Sequence, residues 1–305
     1  MVSLTHMNLP THKFKYPIVS LDSAYGTVVQ VKLNNVNLVK EYLFSVVEGT
    51  LNGGTSPTWT VSSSNPLITH VTVKADNQTF YDADYSTVAE ELRDFNGFNS
   101  TGLSLWIKMG LQDILNQGKL FESTVFPSYV FNQAYLYLTV APLSSVTSGS
   151  PTSTSGTNLF LTENDIDRSQ VDFPVLKTVK LQFASSQGIT GENHNTSLMS
   201  LDGLYAYIQM FAVNDTDVSY VKLLINSDTI EFDDYWTSIK GENASVLKVS
   251  PSSGFAYLMF SEDGSIEKML ALDNPNVLKS VDFVVDTTTS PLTTTFFKTE
   301  ILGYY

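Results

Sequence analysis

The chain has 305 residues, 42% hydrophobic and 12% aromatic, and its 17 Lys and Arg against 31 Asp and Glu give a net charge of −14. Such a chain can bury one large core or two of about 150 residues, while its acidity and lack of a Lys/Arg cluster argue against direct binding of nucleic acid. It has no cysteine, which excludes disulfides, thiolate nucleophiles and cysteine-based zinc sites.

Residues 1–16 read as a basic leader: His6, His12, Lys13 and Lys15 all precede the first acid, Asp22. Two readings stand, contact with anionic lipid or an acidic partner, and a plain solvated start. The leader lacks the apolar core of a signal peptide, and no run approaches the ~18 apolar residues that span a bilayer, so a cytosolic origin is expected. Strand signals follow at 27–33 (TVVQVKL), 67–75 (LITHVTVKA) and 134–141 (AYLYLTVA). In the last, Tyr135, Tyr137 and Thr139 fall on one face and Leu136, Leu138 and Val140 on the other, a period of two. Further strands are predicted at 204–213, 218–226 and 281–286, with turn material at 51–57 and 250–254 between such runs. Helical signal is confined to 85–93 (YSTVAEELR) and 235–240 (YWTSIK). The expected class is all-β with a few short helices.

Thirteen of the fifteen residues 144–158 are Ser, Thr, Gly or Pro, so this stretch reads as a linker or an extended surface loop. An internal repeat favours two halves. Residues 68–90 laid over 218–240 without gaps pair Val71 with Val221, Thr79 with Thr229, Asp84 with Asp234, Tyr85 with Tyr235 and Thr87 with Thr237. Val31-Lys32-Leu33 answers Val179-Lys180-Leu181, Ser100-Thr101-Gly102 answers Ser252-Ser253-Gly254, and Pro142 answers Pro291. Halves of about 150 residues suit two tandem eight-stranded jelly rolls. The expected boundaries are a leader at 1–16, a first jelly roll at 17–143, a linker or extended loop at 144–169 and a second jelly roll at 170–305.

Two such halves, each running a strand into a helix start (Asp82-Ala83-Asp84-Tyr85 and Asp233-Asp234-Tyr235), resemble the double jelly-roll major capsid proteins. That lineage builds tailless icosahedral viruses, many with an internal membrane: corticoviruses, tectiviruses, turreted archaeal viruses and lipid-containing phages of Flavobacterium. The ending TTTFFKTEILGYY, a strand closing on aromatics, fits as well. The resemblance covers about residues 17–305. It implies vertical jelly rolls, a homotrimer of pseudo-hexagonal outline, an N-terminal segment near the capsid base, and assembly in host cytoplasm into a virion. The implied partners are the chain itself, neighbouring trimers, minor capsid and penton proteins, and internal membrane lipid through the leader. Competing readings are a tandem jelly-roll carbohydrate-binding protein or glycan hydrolase, and a minor virion spike or penton protein.

No catalytic, cofactor or metal residues are expected. His6, His12, His70 and His194 lack metal-ligand spacing, and His70 reads as a packing or surface residue. Asp82/Asp84 and Asp233/Asp234 precede the helices and read as N-caps. Structural calcium is the second reading there and at Glu163-Asn164-Asp165-Ile166-Asp167, since clustered carboxylates are hard-oxygen ligands. A glycosidase dyad is disfavoured because the acidic pair occurs twice. Trp59, Trp106 and Trp236 are candidates for stacking on sugars, with Trp106 expected in the core. Sequons at Asn77, Asn99, Asn195, Asn214 and Asn243 have two readings, exposed loops or, preferred in the absence of a secretory signal, the simple consequence of a chain rich in Asn, Ser and Thr.

Overall fold

Alternation of apolar and polar side chains sets the strands. The computed structural model describes residues 11–111, 125–170, 175–195, 203–226, 229–262, 268–272 and 281–304, and the chain divides into two compact units between Lys177 and Thr178. The first unit holds β1 (Thr11–Lys15), β2 (Val28–Lys32), β3 (Leu38–Val47), β4 (Ile68–Ala75), β5 (Gln78–Asp84), α1 (Tyr85–Asn96), β6 (Ser104–Lys108), β7 (Ala134–Val140) and β8 (Asn158–Ile166). The second holds β9 (Leu176–Gln187), β10 (Gly191–Asn195), β11 (Leu204–Phe211), β12 (Val218–Ile225), β13 (Thr229–Tyr235), α2 (Trp236–Leu247), β14 (Phe255–Met259), β15 (Val281–Thr287) and β16 (Leu292–Tyr304).

In the first unit the strands pair in the orders β1-β8-β3-β6 and β2-β7-β4-β5. In the second they pair as β9-β16-β11-β14 and β10-β15-β12-β13. Each strand of one unit has a counterpart eight labels later, in the same place in its sheet. This is one eight-stranded sandwich made twice.

Each unit closes its two sheets on a single apolar layer. In the second, Ile208 and Met210 of β11, Leu258 of β14 and Phe296 of β16 meet Val221 and Leu223 of β12 and Phe283 and Val285 of β15. Trp236 and Ile239 of α2 join the same cluster. In the first, Phe44, Val71, Val73, Leu105, Ile107, Leu136, Leu138, Leu159 and Leu161 are buried, and the Phe44 ring lies 6.3 Å from Tyr85 at the start of α1. Burial on this scale is the main stabilising term of a sandwich.

The repeat holds at the strands and slips at the turns. β4 and β12 are 150 apart, both bury their valine (Val71, Val221), and both carry a register shift at the same place, between Val73 and Lys74 and between Leu223 and Leu224. Between β4 and β5 lie two residues and between β12 and β13 lie three, so the offset becomes 151 at the starts of the helices (85 and 236) and of β6 and β14 (104 and 255). Tyr85 therefore matches Trp236, and the gapless pairing with Tyr235 is corrected: Tyr85 and Trp236 are both buried, whereas Tyr235 is 64% exposed. The Val31/Val179 likeness also fails as repeat evidence. Val31 is in β2, whose counterpart is β10, while Val179 is in β9, the counterpart of β1.

Two segment readings need correction. The stretch 144–169 is neither bare linker nor simple loop. Thr147–Ser148 pairs with Thr58–Trp59, Ser153–Ser155 pairs with Thr50–Asn52, and Asn158–Ile166 is β8, flanked by β1 and β3. Ser and Thr suit edge pairing as well as loops, and Leu159 and Leu161 supply a buried face. Of the leader, Thr11–Lys15 is β1 itself, lying exposed along β8; residues 1–10, with His6, lie outside the described residues.

Candidate functional site

Four polar clusters stand out, and the first two concern residues singled out in the sequence. In the β4–β5 hairpin, the register puts His70 opposite Asp84 and Thr72 opposite Asp82. His70 Nδ1 lies 2.8 Å from Asp84 Oδ1 and Nε2 lies 3.0 Å from Asp82 Oδ1, while Thr72 Oγ1 donates to Asp82 Oδ1 at 2.6 Å. Hydrogen bonds to Asp82 and Asp84 push the His70 pKa up to about 9, against the opposing effect of burial. Burial raises the Asp82 carboxyl, but the bonds from His70 and Thr72 outweigh it and leave it below its ordinary value. With both ring nitrogens taken, His70 is a clamped imidazolium, not a free base.

The N-cap reading of these acids is corrected. Asp84 is the N-cap residue of α1 but makes no side-chain capping bond, because its carboxylate is spent on His70. Tyr235 occupies the N-cap of α2, and Asp234 Oδ1 accepts from the Tyr235 amide at 2.7 Å. Part of the signal for the clamp was present in Asp76-Asn77: both take positive φ (43° and 70°), a two-residue hairpin turn that pairs Ala75 with Gln78. That turn alone would set position 70 opposite 83; the register shift between Val73 and Lys74 moves it to Asp84.

The second cluster lies on β8. Glu163 is fully buried, opposite Phe14 on β1 and Tyr42 on β3. The Tyr16 hydroxyl donates to Glu163 Oε2 and accepts the Asn34 amide at 2.8 Å. Asp165 Oδ2 accepts from Asn37 Nδ2 at 2.5 Å. Glu163 Oε1, Asp165 Oδ1 and the Tyr42 hydroxyl are buried without hydrogen-bond partners. Burial lifts the Glu163 pKa to about 7, with the Tyr16 bond lowering it and the Asp165 charge raising it. Burial and the Glu163 charge push both phenols upward. Asp167 turns away to accept the Ser169 amide at 2.8 Å. Among the described residues no group of three or more His, Asp or Glu forms a metal-ligand set, so the acids of 163–167 do not converge as a calcium site would require.

In the second unit His194 Nδ1 lies 2.5 Å from Asp282 Oδ2 at an exposed position on β10. Asp215 Oδ1 gathers three donors: Lys240 Nζ at 2.6 Å, the Gly254 amide at 2.9 Å and Trp236 Nε1 at 3.2 Å. Burial works against its ionisation, but these bonds, Lys240 first, hold the carboxyl below its ordinary value. The tryptophans do not form a sugar platform. Trp236 is 1% exposed, and Trp59 donates to the Gly49 carbonyl at 3.0 Å. Trp106, expected in the core, is half-buried on the opposite face of β6 from Leu105 and Ile107. Asn243 is no exposed sequon; it is buried and bonded to the Tyr257 backbone through both Nδ2 and Oδ1.

The chain matches no family model and no curated protein in sequence. In structure it is similar to the major capsid protein P2 of bacteriophage PM2, at 11% identity with a TM-score of 0.71 over 97% of this chain and 98% of that one. It is similar to the STIV major capsid protein at 12% identity and a TM-score of 0.70, covering 97% and 98%. The Faustovirus major capsid protein matches at 7% identity and a TM-score of 0.62, covering 96% and 90%. At such identities the likeness is one of fold. The fold is the double jelly roll, over almost the whole chain.

Proposed function

We propose that this chain is a structural coat protein of an icosahedral virion, with a load-sharing and space-filling role and no catalysis. The observation that carries the reading is the doubling of the order of eight main strands across the chain, matched over 97% of its length by two major capsid proteins. A sandwich made twice in one chain is a geometric device. Three such chains about a threefold axis would present six similar wedges, so one gene product fills a hexagonal lattice position. Large buried interfaces drive that assembly. The expected partners are copies of itself, first as a trimer and then between trimers, with minor capsid and penton proteins at special positions and anionic lipid facing the N-terminal segment. Assembly would take place in the host cytoplasm.

The test is the solution state of the purified protein. Sedimentation equilibrium should give the mass of three chains, and negative-stain images should show particles of hexagonal outline. A monomer at all accessible concentrations sinks the coat reading and favours a carbohydrate-binding or minor virion role.

A further inference from the structure

The cluster around Glu163 joins three separate parts of the first unit. β1 brings Phe14 and, just beyond its end, Tyr16; β3 brings Tyr42; the segment after β2 brings the Asn34 amide and Asn37. β1 itself is exposed at all five positions, so little apolar burial holds it and its attachment depends on the backbone ladder and on Tyr16. Tyr16 is buried, and its hydroxyl is bonded on both sides, to Glu163 and to the Asn34 amide.

The charge balance at this point is unusual. Glu163 and Asp165 are both buried, and neither makes an ion pair with a Lys, Arg or His among the described residues. The charged or titratable groups on the packed elements are few. β1 contributes His12, Lys13 and Lys15, all exposed, with His12 opposite Asp165 and Phe14, not a cation, opposite Glu163. β3 contributes Lys40, at the register shift opposite Asn164 and Asp165, Glu41, which accepts from Asn164 at 2.7 Å, and Tyr42. β8 contributes Asp165. Two buried carboxylates without a counter-ion are costly, and a proton on one of them removes the cost. Among the described residues no group of three or more His, Asp or Glu could hold a metal ion to do so instead.

We propose that the N-terminal strand is held by a proton-dependent latch: Glu163, sealed between Tyr16 and Tyr42, keeps its proton while β1 is docked and gives it up when β1 releases. Docking takes up a proton, so rising pH favours release. The pKa of about 7 in place, against 4.5 when released, sets the window. Linkage then gives an about tenfold weaker docking at pH 8 than at pH 6. The same change governs whether Lys13 and Lys15 are presented on an ordered strand.

Hydrogen exchange read by mass spectrometry on the peptide containing residues 11–16, corrected for the intrinsic pH dependence of exchange, tests this on the full chain. Protection should fall about tenfold from pH 6 to pH 8 in the wild type and stay flat in Glu163→Gln, which is neutral at both. Equal wild-type protection at the two pH values, or the same fall in Glu163→Gln, overturns the latch. Should Glu163→Gln fail to fold, infrared difference spectra of the wild type decide. A protonated-carboxyl band must vanish with the midpoint of the exchange change; a band absent throughout refutes the proposal.

Discussion

Tyr85 and Trp236 open the two helices from equivalent places, and each secures the amide of the glycine beyond its helix through different atoms. The Tyr85 hydroxyl accepts the Gly102 amide at 3.0 Å and donates to the Ser104 carbonyl at 2.9 Å. An indole can only donate, so Trp236 cannot do the same. It donates to Asp215 Oδ1, and that oxygen takes the Gly254 amide. One unit uses a phenol for both roles; the other divides them between an indole and a carboxylate.

This division predicts unequal costs. In Tyr85→Phe the Gly102 amide still has Ser100 Oγ at 3.2 Å, so the loss should be about 1 kcal/mol. In Asp215→Ala the amide of Gly254 and the indole of Trp236 both lose an acceptor, and Lys240 loses its ion-pair partner while keeping the Ser252 carbonyl, for about 2 kcal/mol. Urea denaturation of the two variants measures the difference. Equal midpoints would mean that the second unit's network adds nothing beyond the first's.

The glycines themselves are a sharper test of the repeat. Gly102 and Gly254 have φ of +86° and +81°, and a Cβ would lie 2.2 Å from the Ser62 carbonyl oxygen and 2.0 Å from that of Ala212. Neither obstacle is a flexible side chain. Alanine at either position should cost about 3 kcal/mol, conformational strain plus backbone displacement. Gly97→Ala is the control: its φ is +67° but nothing lies within 4 Å, so it should cost about 1 kcal/mol. Thermal melts of the three variants rank them; a loss at Gly97 as large as at Gly102 would leave strain alone as the cause.

Most of the strands were legible because each buries one face. Ala134, Leu136, Leu138 and Val140 are buried and the residues between them are not, which a period of two announces. The Gly102/Gly254 correspondence was legible too, as a glycine after a polar turn. What misled was spacing. One extra residue in the β12–β13 turn shifted Trp236 under Tyr85, and a gapless alignment preferred the two tyrosines. Strand β8 was hidden by the Ser/Thr run before it, since composition reports the average of a stretch and not its partner. The Glu163 cluster was the least legible, because Tyr16 and Glu163 are 147 residues apart and only the β1–β8 pairing brings them together.

The same pairing separates two truncations. Removing residues 1–10 leaves β1 and Tyr16 in place. Removing 1–16 strips the edge of β8 and uncovers Glu163, and the loss of buried Tyr16 with its ladder should cost about 3 kcal/mol. Urea midpoints should therefore be near wild type for the first deletion and well below it for the second. If anionic lipid is a partner, the charges that reach it include Lys13 and Lys15 on exposed β1. Lys13→Ala with Lys15→Ala should weaken liposome flotation at low salt, at about 1 kcal/mol for each lysine, without moving the urea midpoint.

His70 supplies a pH dependence whose direction is fixed by its clamp. Its pKa rises from 6.5 to about 9 on folding, so the folded protein binds the proton more tightly than the unfolded chain. The stabilisation is fully present below 6.5 and is lost as the pH climbs through 9. The side chains of His70, Asp82 and Asp84 are 32%, 38% and 50% exposed, so solvent screening cuts the contribution to about 1 kcal/mol. At the acid end the sign reverses, because Asp82 lies below its ordinary 3.8 and protonating it removes the clamp. Glu163 also loses stability with rising pH, but in an earlier window, between 4.5 and about 7, so the two effects are separable. Urea midpoints of wild type and His70→Gln at pH 5.5, 7.5 and 9.5 resolve them: the gap between the two proteins should be widest at 5.5 and close by about 1 kcal/mol at 9.5. A gap that stays constant over that range would show that His70 packs in the sheet without holding a proton there.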